Sequence, residues 1–355
     1  MLKLRRGTVV STDPLRIEVD GGERPAWADR SLVGDIELGD EVIVNTEALD
    51  LGLGSGGFDL VHANLTRGLS AEGGGGRHVM KLNYTSLQHP VEPVERPLES
   101  GSATRLPVLV LPLHGHLAPA AWAAAQALPG LRVGYVQTAG GALPGAISRD
   151  VAELRSRGLL AGHVSAGPSY GAEHEAISLV GAFDAVPELG WDAILAGPGP
   201  GILGSATRYG HGGAAALDTA HAALALGMRT LLSPRLSGTD PRPRHRGLSH
   251  HTAAVLELLL APVQVPVPEV EVAEWPTPEG SSDAGPEPGM LDDLREACGE
   301  RHDLVVQPVD LEGYASSGLP TWTMGREIGQ DRLFFAAGLA SGRALGAAAA
   351  EARRE

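Results

Sequence analysis

The spacing of apolar and polar residues changes period once along this chain, near residue 106. Before that point, apolar positions come in short runs at residues 7–11, 16–19, 40–45 and 58–63, separated by Asp-Pro, Gly-Gly and Gly-Asp turns. Short β-branched runs bounded by turn formers predict strands, and their spacing predicts a small antiparallel barrel. One further strand is expected within 78–88. Residues 52–57 (Gly-Leu-Gly-Ser-Gly-Gly) read as a flexible loop, because the Lys-Ser/Thr of a phosphate loop does not follow. Residues 73–76 read as a hinge.

After residue 106 the pattern alternates between strand-like and helix-like segments. Residues 108–111 are a continuous apolar run, as expected of a strand buried on both faces. Further strands are predicted over 132–136, 163–165, 193–196, 230–232, 263–267 and 304–308. Helices are predicted over 118–128, 146–157, 173–186, 214–226, 249–260, 290–298 and 331–350. Regular alternation of this kind makes the expected fold class α/β. The expected architecture is a doubly wound, mostly parallel, Rossmann-like sheet with a small N-terminal antiparallel β-barrel-like domain. Residues 1–100 would hold the β domain and its linker, and 101–355 the α/β domain, interrupted by an acidic, Pro-rich linker at 268–289.

Composition narrows the classes of partner. Only 4% of residues are aromatic, so the core must be built mainly from Ala, Val and Leu. The net charge of −15 is unevenly spread: residues 269–303 hold eleven acids against two bases. A charge run of this kind reads as a solvated linker. No basic stripe with interleaved aromatics is present, so nucleic acid is not an expected partner. The N-terminus lacks the apolar stretch of a secretory signal. No window reaches about 18 uninterrupted apolar residues, the length a spanning helix needs. The nearest, 333–350, is broken by Arg343 and reads as a packed helix, so no membrane partner is expected. The single cysteine, Cys298, excludes an internal disulfide and reads as a buried thiol. A cytoplasmic protein is the expectation, with a homodimer left open.

Candidate chemistry collects at one edge of the expected sheet. In doubly wound sheets, ligands bind outside the carboxyl ends of the strands. The loops expected there carry most of the Gly, His and hydroxyl-rich segments. The densest reads R-H-R-G-L-S-H-H-T (residues 244–252), and another is His114-Gly115-His116. Gly199, Gly201 and Gly204 form a G-x-G-x-x-G after a strand. However, nine residues intervene before the helix, and Asp218 lies inside that helix, so NAD is not expected. The same loop could hold an anion through its backbone amides, helped by Ser205, Thr207 and Arg208. Arg235, Arg242, Arg244, Arg246 and Arg326 form a local positive patch suited to phosphate or carboxylate.

Imidazole pairs suit Zn or a similar divalent metal. His114, His116, His250 and Asp240 are the candidate ligands, with His245, His251 and Glu173 as further donors. Adjacent His250 and His251 are expected to diverge, so that only one faces the site. A bound metal, neutral histidines holding a polar ligand, and a structural network all remain open at this point. The hydroxyls of Ser169, Ser249 and Thr252 lack a G-x-S-x-G elbow, which disfavours a serine hydrolase.

The motifs L-P-L-H-G-H, T-A-G-G-A-L-P, A-G-P-S-Y-G-A-E-H-E-A, A-G-P-G-P-G-I-L-G-S-A-T, R-H-R-G-L-S-H-H-T and T-M-G-R-E together resemble a bacterial family catalogued as a domain of unknown function (DUF3866). The resemblance spans nearly the whole chain and implies no activity. Its third motif departs from an expected acid-containing form, G-G-D-x-E-A, at Gly171–Glu175.

Two functions fit these residues. One is an enzyme acting on a small phosphorylated or carboxylated metabolite in a crevice between the domains. In it, His114, His116, His245 and His250 would serve as metal ligands or acid–base groups, and the metal would assist hydrolysis. Gly199, Gly201, Gly204, Ser205, Thr207, Arg244, Arg246 and Arg326 would hold the anion. The other is a non-catalytic metabolite-binding or regulatory protein using the same site.

Overall fold

The computed structural model describes residues 2–52, 56–70, 76–100, 105–269 and 290–354. The expected hinge (save Gly76), residues 53–55 of the first glycine loop, and the acidic linker from 270 onward lie outside the described residues. The chain divides into two compact units, Met1–Glu92 and Pro93–Glu355.

In the first unit, β1 (Leu4–Thr12), β2 (Leu15–Val19), β3 (Gly22–Trp27), β4 (Glu41–Asn45) and β5 (Asp59–Asn64) close into a barrel. The order is β1-β2-β3-β5-β4, with every pairing antiparallel except β3 with β5. Alternate residues point inward, and Val9, Ile17, Val19, Val42, Val44 and Val61 form the core. Strand β3 was not expected, because Gly22–Trp27 holds no β-branched residue and contains Pro25. Pro25 is tolerated because β3 pairs with β5 only through Ala26 and Trp27, beyond the proline. The strand expected within 78–88 is instead a hairpin of two-residue strands, Met80–Lys81 with His89–Pro90. Leu82 and Tyr84 adopt left-handed backbone in its turn, which stops the extended run.

The second unit is built on β6 (Val108–Val110), β7 (Val133–Thr138), β8 (Gly162–Ala166), β9 (His174–Ala176), β10 (Ala193–Pro198), β11 (Thr230–Leu232), β12 (Gln264–Pro268) and β13 (Asp303–Gln307). All eight are parallel, in the order β9-β8-β7-β10-β6-β11-β12-β13. The helices are α1 (Leu117–Ala127), α2 (Arg149–Ser156), α3 (Leu179–Ala185), α4 (Ala215–Ala225), α5 (His250–Leu258), α6 (Met290–Cys298) and α7 (Arg332–Ala352).

Residues on one strand alternate between two apolar layers. Leu109, Leu111, Val133, Tyr135 and Leu195 meet α1, α2 and α7, whereas Val108, Val110, Val136, Ile194 and Ala196 meet α3 to α6. Burial on both faces explains why these strands read as unbroken apolar runs. Burial also pushes the Cys298 thiol up to about 11, so it stays protonated.

The helix expected over 173–186 is shorter than its pattern suggested. His174–Ala176 instead pairs as edge strand β9 with β8, and the helix begins only after Ser178, whose Oγ accepts from Gly181 N at 2.9 Å. Glu175 holds the preceding turn, accepting from Gly171 N at 2.6 Å and Ser165 Oγ at 2.7 Å. These tertiary bonds override the local helical preference.

Strand order reverses between β10 and β6. From β6 the chain runs through α1 to β7, and from β10 it runs through α4, on the opposite face, past β6 to β11. The carboxyl ends of these strands therefore frame the crevice where such sheets bind ligands.

Helix α7 is long and apolar enough to cross a membrane, yet most of its apolar window is buried inside the fold. Gly338, Gly342 and Gly346, spaced four apart, turn toward α1. A Cβ at Gly338 would meet Pro119 Cγ at 2.8 Å, and one at Gly346 would meet Ala127 Cβ at 2.7 Å. At Gly342 it would overlap the Ala120 carbonyl, a backbone atom that cannot move aside. Gly342→Val should therefore cost about 3 kcal/mol, at the upper end of overpacking penalties. Exposed Arg343→Ala should stay within about 0.5 kcal/mol. Urea unfolding of both variants checks this; equal stabilities would contradict the close α1–α7 packing.

Candidate functional site

The site is built where two glycine-rich loops, following β7 and β10, pack backbone against backbone. Ala142 N donates to Pro200 O at 2.6 Å, and a Cβ on Gly199 would strike Gln137 Nε2 at 2.8 Å. Cβ atoms on Gly140 or Gly212 would overlap the other loop. The second loop then closes on itself: Ser205 Oγ bonds Thr207 Oγ1 at 2.7 Å and Gly210 O at 2.8 Å, and Gly210 N donates to Thr207 Oγ1 at 3.0 Å. Gly204 and His211 form a β-bridge across it. Ser205 and Thr207, expected to hold an anion, are instead committed to loop closure. Gly199 serves close packing and Gly201 the left-handed turn (φ 77°), whereas a Cβ at Gly204 would make only ordinary contacts with His211 and His251. The product of this loop is a fixed His211.

Helix α5 supplies the opposing wall. Ser249 is its N-cap, accepting from His251 N at 3.3 Å, and Ser249 N donates to Arg235 O at 3.0 Å. His250 and His251 open the helix. Contrary to expectation, both face one point. Successive helical residues differ by about 100°, an angle the imidazoles span by leaning toward His211. The His211 and His251 rings stack with centroids 3.7 Å apart and 7° between planes, and His250 meets His251 edge-on at 4.3 Å. One ring nitrogen from each of His211, His250 and His251 lies within 4.8 Å of the others.

Burial leaves these nitrogens unsatisfied. Among the described residues, both ring nitrogens of His211 and the Nε2 atoms of His250 and His251 are buried without a hydrogen-bond partner. His250 Nδ1 donates to Arg244 O at 3.2 Å, which makes its Nε2 the lone-pair nitrogen. Burial first, and then neighbouring imidazoles and Arg235, push His251 down to about 2. His211 and His250 are lowered as well, chiefly by burial, and for His250 partly opposed by the Arg244 carbonyl. All three are therefore neutral near pH 7, the form that binds a metal.

His245 stands against the same cluster, 4.7 Å from His251 and 5.0 Å from His250 between ring centroids. Its Nδ1 bonds Ser249 Oγ at 2.7 Å. Burial, followed by Arg235 and Arg242, pushes it down to about 3.

The structure separates the remaining expected residues from this cluster's ligand set. Asp240 accepts from Arg242 Nε and Nη2 at 2.9 Å, Arg235 Nη2 at 3.2 Å and Arg326 Nη2 at 3.3 Å. Burial alone would raise its carboxyl, yet Arg242 and Arg326 hold it well below the usual range. It is the counter-ion of an arginine cage rather than a metal ligand. Arg326 also binds Asp331 at 3.0 Å, so it is a structural cation. Glu173 pairs with Arg155 at 2.7 Å, and Arg208 pairs with Glu257. Arg244 has an Nε buried without a hydrogen-bond partner among the described residues, and Arg246 lies two residues further on.

His114 is fully engaged. Its Nδ1 donates to Pro198 O at 3.2 Å, and its Nε2 accepts from Ser148 Oγ at 2.7 Å. It links the ends of β6 and β10 with no lone pair to spare. His116 packs on Phe334 at 4.5 Å, with Nδ1 bonded to Ser233 Oγ at 2.8 Å.

Sequence reasoning missed two histidines. His211 sits between glycines at the close of a strand-end loop, and that placement was its available signal. His163 had none, being one residue of a short buried strand. It stacks on Tyr135 at 5.1 Å and bonds Gln137 Oε1 at 3.2 Å.

The family model described as protein of unknown function (DUF3866) matches residues 25–342, and the chain belongs to that family. No curated protein and no solved structure matches the chain.

Burial pushes both His116 and His163 down to about 3. In the unfolded chain they take up protons below about pH 6.5. Between those values the unfolded state holds more protons, so stability is complete above pH 6.5 and declines as pH falls. Each histidine contributes a slope of about 1.4 kcal/mol per pH unit. Urea midpoints measured with chelator at pH 7, 6 and 5 should fall, and His163→Gln should flatten that fall. A pH-independent midpoint would contradict the neutral buried state.

Proposed function

We propose that this protein is a metal-dependent enzyme acting on a small anionic metabolite, with hydrolysis as its reaction. The observation that carries the reading is the convergence of three neutral, buried imidazoles with unsatisfied ring nitrogens, His211, His250 and His251. Buried unpaired polar atoms are costly, and a divalent ion satisfies all three at once. Three protein ligands leave an open position, the pattern of catalytic rather than structural zinc. When bound, such an ion lowers the pKa of a coordinated water toward neutrality.

The chain's other residues have matching roles. Ser249 Oγ accepts from His251 N and has its own proton to give to His245 Nδ1. His245 Nε2 then carries the N–H of a neutral ring, placing a hydrogen-bond donor beside the triad that would orient a bound anion. Arg244, whose carbonyl orients His250, presents its guanidinium next to that ring and steers an anion toward the site.

Protein stripped by chelator should take up about one equivalent of zinc at pH 7.5. His211→Ala and His251→Ala should weaken that uptake at least about 100-fold, whereas the outlying His174→Ala should leave it unchanged. Less than about 0.1 equivalent in the native protein, or undiminished affinity in both triad variants, would contradict the metal reading. Metabolite binding without turnover would favour a sensor over an enzyme.

A further inference from the structure

Unsatisfied nitrogens extend beyond the triad. Among the described residues, His116 Nε2 and Arg235 Nε are also buried without hydrogen-bond partners, in side chains 0% and 5% exposed. His116 follows β6, and Arg235 follows β11, its neighbour in the sheet. Ser233, which bonds His116, lies two residues before Arg235. The Arg235 backbone accepts from Ser249 N at 3.0 Å and donates to Thr252 Oγ1 at 2.9 Å at the start of the helix that carries His250 and His251, so Arg235 joins the two groups.

The hydrogen-bond chain fixes what His116 offers. Ser341 Oγ, whose one proton also reaches Ala337 O at 2.7 Å, lies 2.8 Å from a Ser233 Oγ oriented to accept from it and not to donate to it, so the Ser233 proton is left for His116 Nδ1. The His116 proton is then on Nε2, and that atom is a donor. Arg235 spends Nη2 on Asp240 and on the sulfur of Met324 at 3.5 Å, but Nε points elsewhere. Two N–H groups therefore await an acceptor that the described residues do not supply.

Charge points the same way. Arg235, Arg242 and Arg326 share two carboxylates, Asp240 and Asp331, which leaves one positive charge over. Arg242 is 44% exposed, so the buried pairs of Arg235 and Arg326 with Asp240 and Asp331 balance. A dication on the triad would leave two positive charges in a buried region, an arrangement that is unstable without an anion. A single carboxylate brings one negative charge and two oxygens. A phosphoryl group brings close to two charges and three terminal oxygens.

We infer that the substrate of this site carries a terminal phosphoryl group, held between the triad metal and the N–H donors of Arg235 and His116. This rests on the metal reading above and narrows its anionic metabolite to a phosphate ester. The hairpin of Trp322–Thr323 and Arg326–Glu327 covers Arg235 through Met324 and packs Thr323 against Gly115. It must lift for the phosphoryl group to reach these donors.

Inorganic phosphate is the probe, with acetate and malonate as comparators, titrated calorimetrically into zinc-loaded and chelator-treated protein. Phosphate should bind the zinc-loaded form at least about tenfold more tightly than either carboxylate. His116→Gln and Arg235→Lys should lose about tenfold for phosphate while zinc affinity is unchanged. Because either variant could fold poorly, the wild type provides a second readout. In protein labelled with ¹⁵N-histidine, the His116 Nε2–H resonance should shift with phosphate and not with acetate. Carboxylates binding as tightly as phosphate, or a His116 signal unmoved at phosphate saturation, would overturn the proposal. Failure of zinc to bind would overturn the metal reading and the metal contact that depends on it, whereas the Arg235 and His116 donors are scored separately by phosphate binding and the His116 shift in chelator-treated protein.

Discussion

The glycine-on-glycine contact between the loops after β7 and β10 is the constraint on which the candidate site depends. With no Cβ at Gly140, Gly199 or Gly212, the two backbones approach closely enough for the second loop to close and hold His211 against the start of α5. Any side chain at these positions would push the loops apart and separate His211 from His251, whose rings are in van der Waals contact. The high glycine content of the chain acquires a specific physical meaning here.

Burial then sets the chemistry. Taking an imidazolium out of water is unfavourable, and Arg235 adds repulsion from inside the cluster, so the histidines remain neutral. Neutral imidazoles with no hydrogen-bond partner are poor core residues but good ligands. The nearby arginines, by contrast, are largely satisfied by Asp240 and Asp331. The same region thus separates into a structural ion cage and an unsatisfied nitrogen face, two environments that look alike as a run of Arg, His and Asp.

This explains what was legible in the sequence. Apolar runs at 108–111 and 230–232, and the helices flanking them, follow from local patterning, and parallel topology then places the histidine-bearing loops on one edge. Strand β3 and edge strand β9 were hidden because Pro25 and the segment around Glu175 obey tertiary hydrogen bonds rather than their own propensities. The site's region was visible in His250 and its neighbours, but its membership was not. Spacing cannot show that Asp240 is saturated by arginines, that His114 is spent on Ser148 and Pro198, or that a nine-residue loop carries His211 across to His251.

Zinc-edge X-ray absorption and anomalous diffraction from zinc-loaded protein address the central claim most directly. One ion bound by the imidazoles of His211, His250 and His251 is the expected result, with Zn–N distances of about 2.0–2.1 Å and an oxygen in the remaining position. Zinc located on other residues, or a first shell without three imidazole nitrogens, would contradict it.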